Sequence, residues 1–265
     1  MPYYRLVLEY KGTHYLGWQV QAEGAGATVQ GELNKALAIL SKSSEVRSLG
    51  SGRTDAGVHA LGQVVKIEMP LVIPCSNLVK ALNANLPLDI RVLSAEESNH
   101  DFLPTNHALS KEYNYRFTLN DSSRAFQNDF IQNNSFDCDL ELMRKACKIL
   151  IGKHDFCNFF CEGTEVNSTV REIFECEILK ISGQGDWGFM PDHYVFRIVG
   201  NGFLKQMVRL LMGTLWNIGR GKVSLQDFEA ALGSTPVKRL GPVAPPHGLY
   251  LVKVTYADRN HLNLP

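Results

Sequence analysis

A chain of 265 residues with 45% hydrophobic content is long enough to bury one large core or two ordinary ones, which excludes a disordered class. Lys plus Arg and Asp plus Glu both number 27, so the formal net charge is zero and bulk charge does not drive the chain onto nucleic acid or an anionic membrane. No run approaches the roughly 18 apolar residues of a membrane-spanning helix, and Met1-Pro2-Tyr3-Tyr4-Arg5 leads directly into a strand pattern, so a cytoplasmic protein with no membrane partner is expected.

Tyr4, Leu6, Leu8 and Tyr10 alternate with smaller or polar neighbours, which predicts a half-buried first strand. Thr28 is placed to cap a helix whose apolar stripe is Val29, Leu33, Leu37 and Leu40. A glycine loop follows at 50–59 and then an apolar strand at 63–69. Ser76 is expected to cap a second helix carrying Leu78, Val79, Leu82 and Leu86 and stopped by Pro87, before a short strand at 90–93.

The pattern restarts with Lys111-Glu112-Tyr113-Asn114-Tyr115-Arg116-Phe117, where Tyr113, Tyr115 and Phe117 share one face. A helix at 140–151 closed by Gly152, a strand at 170–181 and a strand through Tyr194, Phe196 and Ile198 come next. A helix at 203–217 has its stripe at Leu204, Met207, Val208, Leu211 and Leu215. Ser224 then opens a short helix with Asp227 three residues on, and Gly233 ends it. A proline-rich stretch at 241–248 leads to the last strand at 249–256. The whole predicts an α+β protein of two similar lobes, residues 1–105 and 106–265. Each is a mixed or antiparallel sheet with helices on one side, and the two face each other across a central cleft.

The six cysteines lie at positions 75, 138, 147, 157, 161 and 176, without the two-residue spacing of a zinc knuckle. His154, Cys157 and Cys161 come nearest to a metal cluster, but their aromatic neighbours read as core packing around reduced thiols, so no metal is expected. Charge is polarised along the chain. Arg197, Lys205, Arg209, Arg220 and Lys222 fall between His193 and Gln226 with no acidic residue among them, while Asp137, Asp139 and Glu141 gather elsewhere.

The stretch with most chemical content is Ser51-Gly52-Arg53-Thr54-Asp55-Ala56-Gly57-Val58-His59. Gly52 and Gly57 permit backbone angles or close approaches that let the loop present Arg53 and Asp55 to a ligand. Equally, the two charges can pair with each other across a tight turn. Asp55 is the one carboxylate of the loop, which suits covalent catalysis more than a paired-carboxylate glycosidase. An ionised nucleophile wants a fixed cation nearby, and Arg is the cation that cannot be neutralised. Arg53, two residues away on an extended chain, points to the opposite side, so Arg209 is the better partner and Arg53 the better handler of a substrate. Arg209 is otherwise the polar edge of an amphipathic helix. Lys205, four residues before it, makes a like-charge pair that an anionic partner explains better than helix stability does. Tyr113 reads either as core or as an aromatic that stacks on a base. The loop lacks the sixth-position glycine of a dinucleotide site and the chain has no Gly-Lys-Ser/Thr triplet, so no nucleotide cofactor is expected.

The string Gly52-Arg53-Thr54-Asp55-Ala56-Gly57-Val58-His59 resembles the signature loop of the bacterial tRNA pseudouridine synthase A family. Other blocks agree in order: Gly17-Trp18-Gln19, Thr28-Val29-Gln30-Gly31-Glu32-Leu33, Lys111-Glu112-Tyr113-Asn114-Tyr115, His154-Asp155-Phe156, Gly200-Asn201-Gly202-Phe203-Leu204, Met207-Val208-Arg209 and Gly248-Leu249-Tyr250-Leu251. The resemblance implies isomerisation of uridine to pseudouridine in the anticodon stem-loop of tRNA, by a cofactor-free homodimer. It implies Asp55 as nucleophile, Arg209 as the group that holds it ionised, Tyr113 stacked on the target base, Leu249 lining the pocket and Arg53 helping to extrude the base. Many members carry a basic residue in a Phe-x-Ala-Arg pattern where this chain reads Phe102-Leu103-Pro104-Thr105. A non-catalytic RNA-binding protein is the rival reading, which the balanced charge makes harder to support.

Overall fold

The computed structural model describes residues 1–22, 24–43, 45–120, 125–161, 166–183 and 192–257. Its elements run β1 (Tyr3–Tyr10), α1 (Val29–Ser41), β2 (Arg47–Gly50), β3 (His59–Glu68), α2 (Cys75–Asn85), β4 (Ile90–Ser98), β5 (Ala108–Thr118), β6 (Gln132–Asn133), α3 (Leu140–Leu150), β7 (Gly152–Asp155), β8 (Val170–Ile181), β9 (His193–Gly200), α4 (Met207–Gly219), α5 (Leu225–Ala230) and β10 (Leu249–Tyr256). The class is α+β with a mixed sheet. Two compact units divide the chain: Met1–Leu109 together with the segment from Tyr250 onward, and Ser110–Leu249.

In the first unit β1 runs antiparallel to both β4 and β3, with Tyr4, Leu6, Leu8 and Tyr10 buried as their alternation predicts. β2 pairs antiparallel with the far half of β3, at Glu68 to Val65. β10 lies parallel to the start of β3 through Tyr250 opposite His59 and Leu251 opposite Ala60. This pairing puts the last strand in the first unit, whereas the sequence reading assigns it to the second and sets the boundary at 105. Strand partners distant in sequence leave no local mark, so the chain order alone misassigns it. β3, paired on both edges, is buried over nearly its whole length.

Thr28 caps α1 as expected, its hydroxyl accepting from the Gly31 N–H at 3.1 Å, and Val29, Leu33, Ala36 and Leu37 turn inward. The second helix starts differently. Cys75 is its first residue, Pro74 occupies the cap position, and Ser76 lies inside the first turn with no capping bond. Proline suits this entry because its fixed φ is pre-set and its missing N–H removes a donor that would be orphaned. α2 packs on β4 and α1.

The second unit is an antiparallel run β5-β9-β8-β7, with β6 parallel to the end of β5. Tyr115 and Phe117 are fully buried and Tyr113 is 8% exposed, so the shared face of β5 is a core face with Tyr113 at its rim. α3 is capped by Asp139, whose carboxylate accepts from the Glu141 and Leu142 N–H groups, and it packs on β8, α4 and α5. α4 begins four residues later than its periodicity predicts, because Gln206 adopts φ +61 and closes the preceding turn. Apart from Arg209 and Asn217 the helix is buried all round, so it is a core element and not an amphipathic surface helix. No helix among the described residues is long and apolar enough to cross a membrane.

Candidate active site

Three sequence blocks interlock around the Asp55 loop in the first unit. Its entry is held by Gln63, fully buried on β3, which accepts from the Ser51 hydroxyl at 2.7 Å and donates to the Gly52 carbonyl at 2.7 Å. Thr54 is buried and its hydroxyl bonds the Tyr10 hydroxyl at 2.8 Å. With Thr54 turned inward, Arg53 is exposed and Asp55 is half-buried at the surface of the loop. The chain then turns over Asp55-Ala56-Gly57-Val58, closed by the Val58 N–H on the Asp55 carbonyl at 3.2 Å, and Gly57 supplies the positive φ of +77 that such a turn requires. Gly52, the other glycine singled out in the sequence, keeps a negative φ.

Gly17-Trp18-Gln19 forms the wall behind this loop. The Trp18 N–H donates to the Thr54 carbonyl at 3.1 Å, and the Gly57 N–H donates to the Tyr15 carbonyl at 3.3 Å. Gly17 has φ +96, and a methyl group there would stand 2.4 Å from the Thr54 carbonyl oxygen and 3.0 Å from the Asp55 carbonyl carbon. No other residue fits so close to the backbone of the loop. The wall is tied to α1 in turn: Val29 and Gln30 N–H groups donate to the Gly17 and Trp18 carbonyls, and the Gln30 side chain accepts from Gln19 and donates to the Ser48 carbonyl. Below the loop, His59 accepts from the Gly12 N–H at 3.0 Å and stacks on Tyr250 at 4.8 Å between ring centroids. Periodicity gives no hint of Tyr10, Gln63 or His59 as supports. The signal available was Gln63 at the head of an apolar strand, a polar residue that must find partners once buried.

The second unit holds Tyr113, Arg209 and Leu249. Tyr113 meets Phe203 edge to face at 5.1 Å between centroids. Arg209 is half-buried and doubly tied to one residue: its Nε donates to the Ala244 carbonyl at 2.7 Å and its own carbonyl accepts from the Ala244 N–H at 3.1 Å. Tyr115, behind it, donates its hydroxyl to the Pro245 carbonyl at 2.8 Å, and its ring comes within 2.8 Å of where a side chain on Gly248 would begin. Segment 244–248 is thereby locked to Tyr115 and Arg209, and it delivers Leu249, 6% exposed, to the start of β10. Burial holds the Tyr115 hydroxyl well above the usual tyrosine range, with the Arg209 guanidinium acting in the opposite direction. Burial pushes the His247 ring below its ordinary value, with Asp129 opposing and Arg209 reinforcing.

The basic run at 193–226 does not act as one patch. Arg197 sits on the other face of the sheet among Glu112 at 3.0 Å, Glu175 at 2.5 Å and Glu177 at 3.1 Å, and its hydrogen bonds to Glu112 and Glu175 hold its charge firmly. Arg220 lies over the Phe136 ring at 4.4 Å. Lys205 precedes α4, so the like-charge pairing expected with Arg209 inside one helix does not arise. The acidic group resolves into caps and turns, with Asp137 bonding the Cys138 N–H and Asp139 capping α3. His154, Cys157 and Cys161 go separate ways, to the Ile151 carbonyl, the Gly233 carbonyl and the Gln206 side chain. Among the described residues no group of three or more His, Cys, Asp or Glu is placed to hold a metal ion.

A family model described as tRNA pseudouridine synthase matches residues 6–102 and 146–257. The chain belongs to the tRNA pseudouridine synthase family. The tRNA pseudouridine synthase A of an Exiguobacterium species is 41% identical over 252 residues, spanning 95% of this chain and 97% of that protein. The proteins of the same name from Lysinibacillus sphaericus and Bacillus pumilus are 39% and 40% identical over 253 residues, again 95% of this chain and 98% of each relative. Arg53, Asp55, Arg209 and Leu249 lie inside the matched segments and Tyr113 lies in the interval between them. The departure from the family pattern at 102–105 has a structural counterpart: the Thr105 hydroxyl donates to the Gly50 carbonyl at 3.1 Å, and the Pro104 carbonyl accepts from the Tyr256 hydroxyl at 2.8 Å.

Proposed function

We propose that this member of the tRNA pseudouridine synthase family isomerises uridine to pseudouridine in the anticodon stem-loop of tRNA, with Asp55 as the nucleophile. The observation that carries the reading is the Asp55 loop itself. Gln63, Trp18 and the Tyr15 carbonyl bond its main chain and Tyr10 bonds the Thr54 hydroxyl, while Asp55 is left half-buried at its surface. A carboxylate on so constrained a backbone is pre-positioned for attack, which is where enzymes gain most from geometry.

In this reading the two units are lobes facing each other across a cleft that receives an extruded uridine. The Asp55 carboxylate attacks either the uracil ring or the ribose anomeric carbon. The bond between the base nitrogen and the anomeric carbon breaks, the base rotates and a bond forms from carbon 5 to the anomeric carbon; the carbon-5 proton leaves to solvent as Asp55 departs, and the freed base nitrogen takes up a proton in its place. Atoms and electrons balance without an oxidant or a second substrate. Arg209 holds Asp55 ionised, and the double tie to Ala244 fixes that cation in place. Tyr113 stacks on the base, Leu249 lines the apolar side of the pocket, and the exposed Arg53 handles the RNA during extrusion. tRNA is the partner, a homodimer the working form and the cytoplasm the setting.

The test is to map pseudouridine in total tRNA from cells with and without this protein. Loss of specific anticodon stem-loop pseudouridines on deletion, restored by the protein, is expected. An unchanged map overturns the reading in favour of RNA binding alone.

A further inference from the structure

We propose that Asp89, on the turn between α2 and β4, is a positioning residue for Asp55 that holds, through Tyr15, the segment on which the exit of the catalytic loop rests; the inference rests on the function proposed above. Asp89 immediately precedes Ile90, which the register sets opposite Tyr10 at the end of β1. Its main-chain carbonyl accepts from the Lys11 N–H at 2.9 Å, and its carboxylate accepts from the Tyr15 hydroxyl at 2.5 Å. One residue thereby holds both ends of segment 11–15.

That segment lies directly against the second half of the loop. The Tyr15 carbonyl accepts from the N–H of Gly57, the residue that gives the Asp55 turn its positive φ, at 3.3 Å. The Gly12 N–H donates to the His59 Nδ1 at 3.0 Å, and a methyl group on Gly12 would stand 2.0 Å from the Val58 carbonyl oxygen. The Tyr15 N–H in turn donates to the Gly12 carbonyl at 3.0 Å, which closes the segment into one turn. Trp18 bonds the Thr54 side of the loop and segment 11–15 supports the Gly57 to His59 side, with Asp55 between them. A shift of either support therefore reaches Asp55.

The turn that carries Asp89 is itself fixed. Asn83 on α2 exchanges bonds with the Val92 backbone on β4, donating to its carbonyl at 2.9 Å and accepting from its N–H at 2.8 Å. The Ile90 N–H donates to the Pro87 carbonyl at 3.1 Å, and the Arg91 Nη1 donates to the Pro87 and Ile90 carbonyls, both at 2.7 Å. Tyr15 is 7% exposed, and burial, reinforced by the bond to Asp89, holds its hydroxyl above the usual tyrosine range, so it stays protonated and donates. A short bond from a hydroxyl to a carboxylate is charge-assisted and about twice as strong as a neutral one. Leu88, the preceding residue on the same turn, is 89% exposed and supplies a control.

The assignment is tested by tritium release from carbon-5-labelled uridine in tRNA, at a temperature where circular dichroism shows each variant folded, for Asp89→Ala, Tyr15→Phe, the double variant, Asp89→Asn and Leu88→Ala. Asp89→Ala and Tyr15→Phe are each expected to lose about ten-fold or more in kcat with the KM for tRNA unchanged. The double variant is expected to lose no more than the worse single one, because both changes remove the same bond. Asp89→Asn is expected to recover most of the loss, since its amide oxygen still accepts from the phenol, and Leu88→Ala to match wild type. Tyr15→Phe keeps the buried ring, so it carries the test if Asp89→Ala does not fold. A kcat within about two-fold of wild type in a folded Tyr15→Phe protein, losses that multiply in the double variant, or a change confined to KM overturns the assignment. A wild-type protein that releases no tritium overturns the functional reading instead, so the two failures are distinct.

Discussion

Replacing Gly17 by alanine adds one methyl group where it meets only backbone. Ordinary van der Waals contact begins near 3.4 Å, so the 2.4 Å approach to the Thr54 carbonyl forces the Asp55 loop and the wall apart by about 1 Å. The φ of +96 adds backbone strain of about 1–3 kcal/mol for any residue with a side chain. The loop is the softer partner, because the wall is anchored to α1 through Val29 and Gln30. A displacement of about 1 Å in a catalytic group costs about a hundred-fold in turnover. Gly24 supplies the control. It too has a positive φ, +84, but a methyl group there meets nothing within 4 Å. Tritium release from tRNA labelled at carbon 5 of uridine is the assay, with circular dichroism to establish folding. Gly17→Ala is expected to lose about a hundred-fold in kcat, while Gly24→Ala loses some stability and stays within a few-fold of wild type. A folded Gly17→Ala protein turning over at the wild-type rate would refute the claim that this wall positions the loop.

Arg209→Lys should keep measurable activity because the charge remains, whereas Arg209→Met should lose about a hundred-fold or more; equal activity in the two rejects the ion pair with Asp55. Gln63→Leu removes the partners of the Ser51 hydroxyl and the Gly52 carbonyl and should destabilise the fold by about 2–4 kcal/mol, read by urea denaturation. Because the folded-state value of His247 lies below the unfolded 6.5, protonation favours the unfolded chain as pH falls from 6.5 through the folded value. Denaturation at several pH values should therefore show stability falling with acidification in that window, and His247→Gln should flatten that part of the curve. An unaltered slope in the variant would remove His247 from the account.

Local structure was readable wherever one element carried its own pattern. The burial of Tyr4, Leu6, Leu8 and Tyr10 and the inward stripe of α1 follow from period alone. What the pattern missed was set by partners far along the chain. β10 joins the first unit through a two-residue parallel pairing with β3, and no local feature of Leu249 to Tyr256 records that. α4 looked amphipathic because Arg209 and Lys205 interrupt its apolar residues, yet a left-handed Gln206 cuts Lys205 off and the helix is core. Arg197 counted as part of a basic patch until its position on β9, opposite Asn114 on β5 and Glu177 on β8, gave it to the carboxylates of Glu112, Glu175 and Glu177. In the candidate site, Asp55 and Arg53 stood out because charged residues between glycines are rarely packing residues. Their supports did not, since Tyr10, Gln63 and Trp18 become recognisable only when the backbone brings buried polar groups together.

The most direct test of the central claim is Asp55→Asn, which keeps the size and shape of the side chain, turns one acceptor oxygen into an amide donor, and removes its charge and nucleophilicity. Assayed for tritium release from carbon-5-labelled uridine in tRNA, the folded variant is expected to show no turnover while still binding tRNA. Persistent tritium release by that variant would contradict the assignment of Asp55 as the nucleophile.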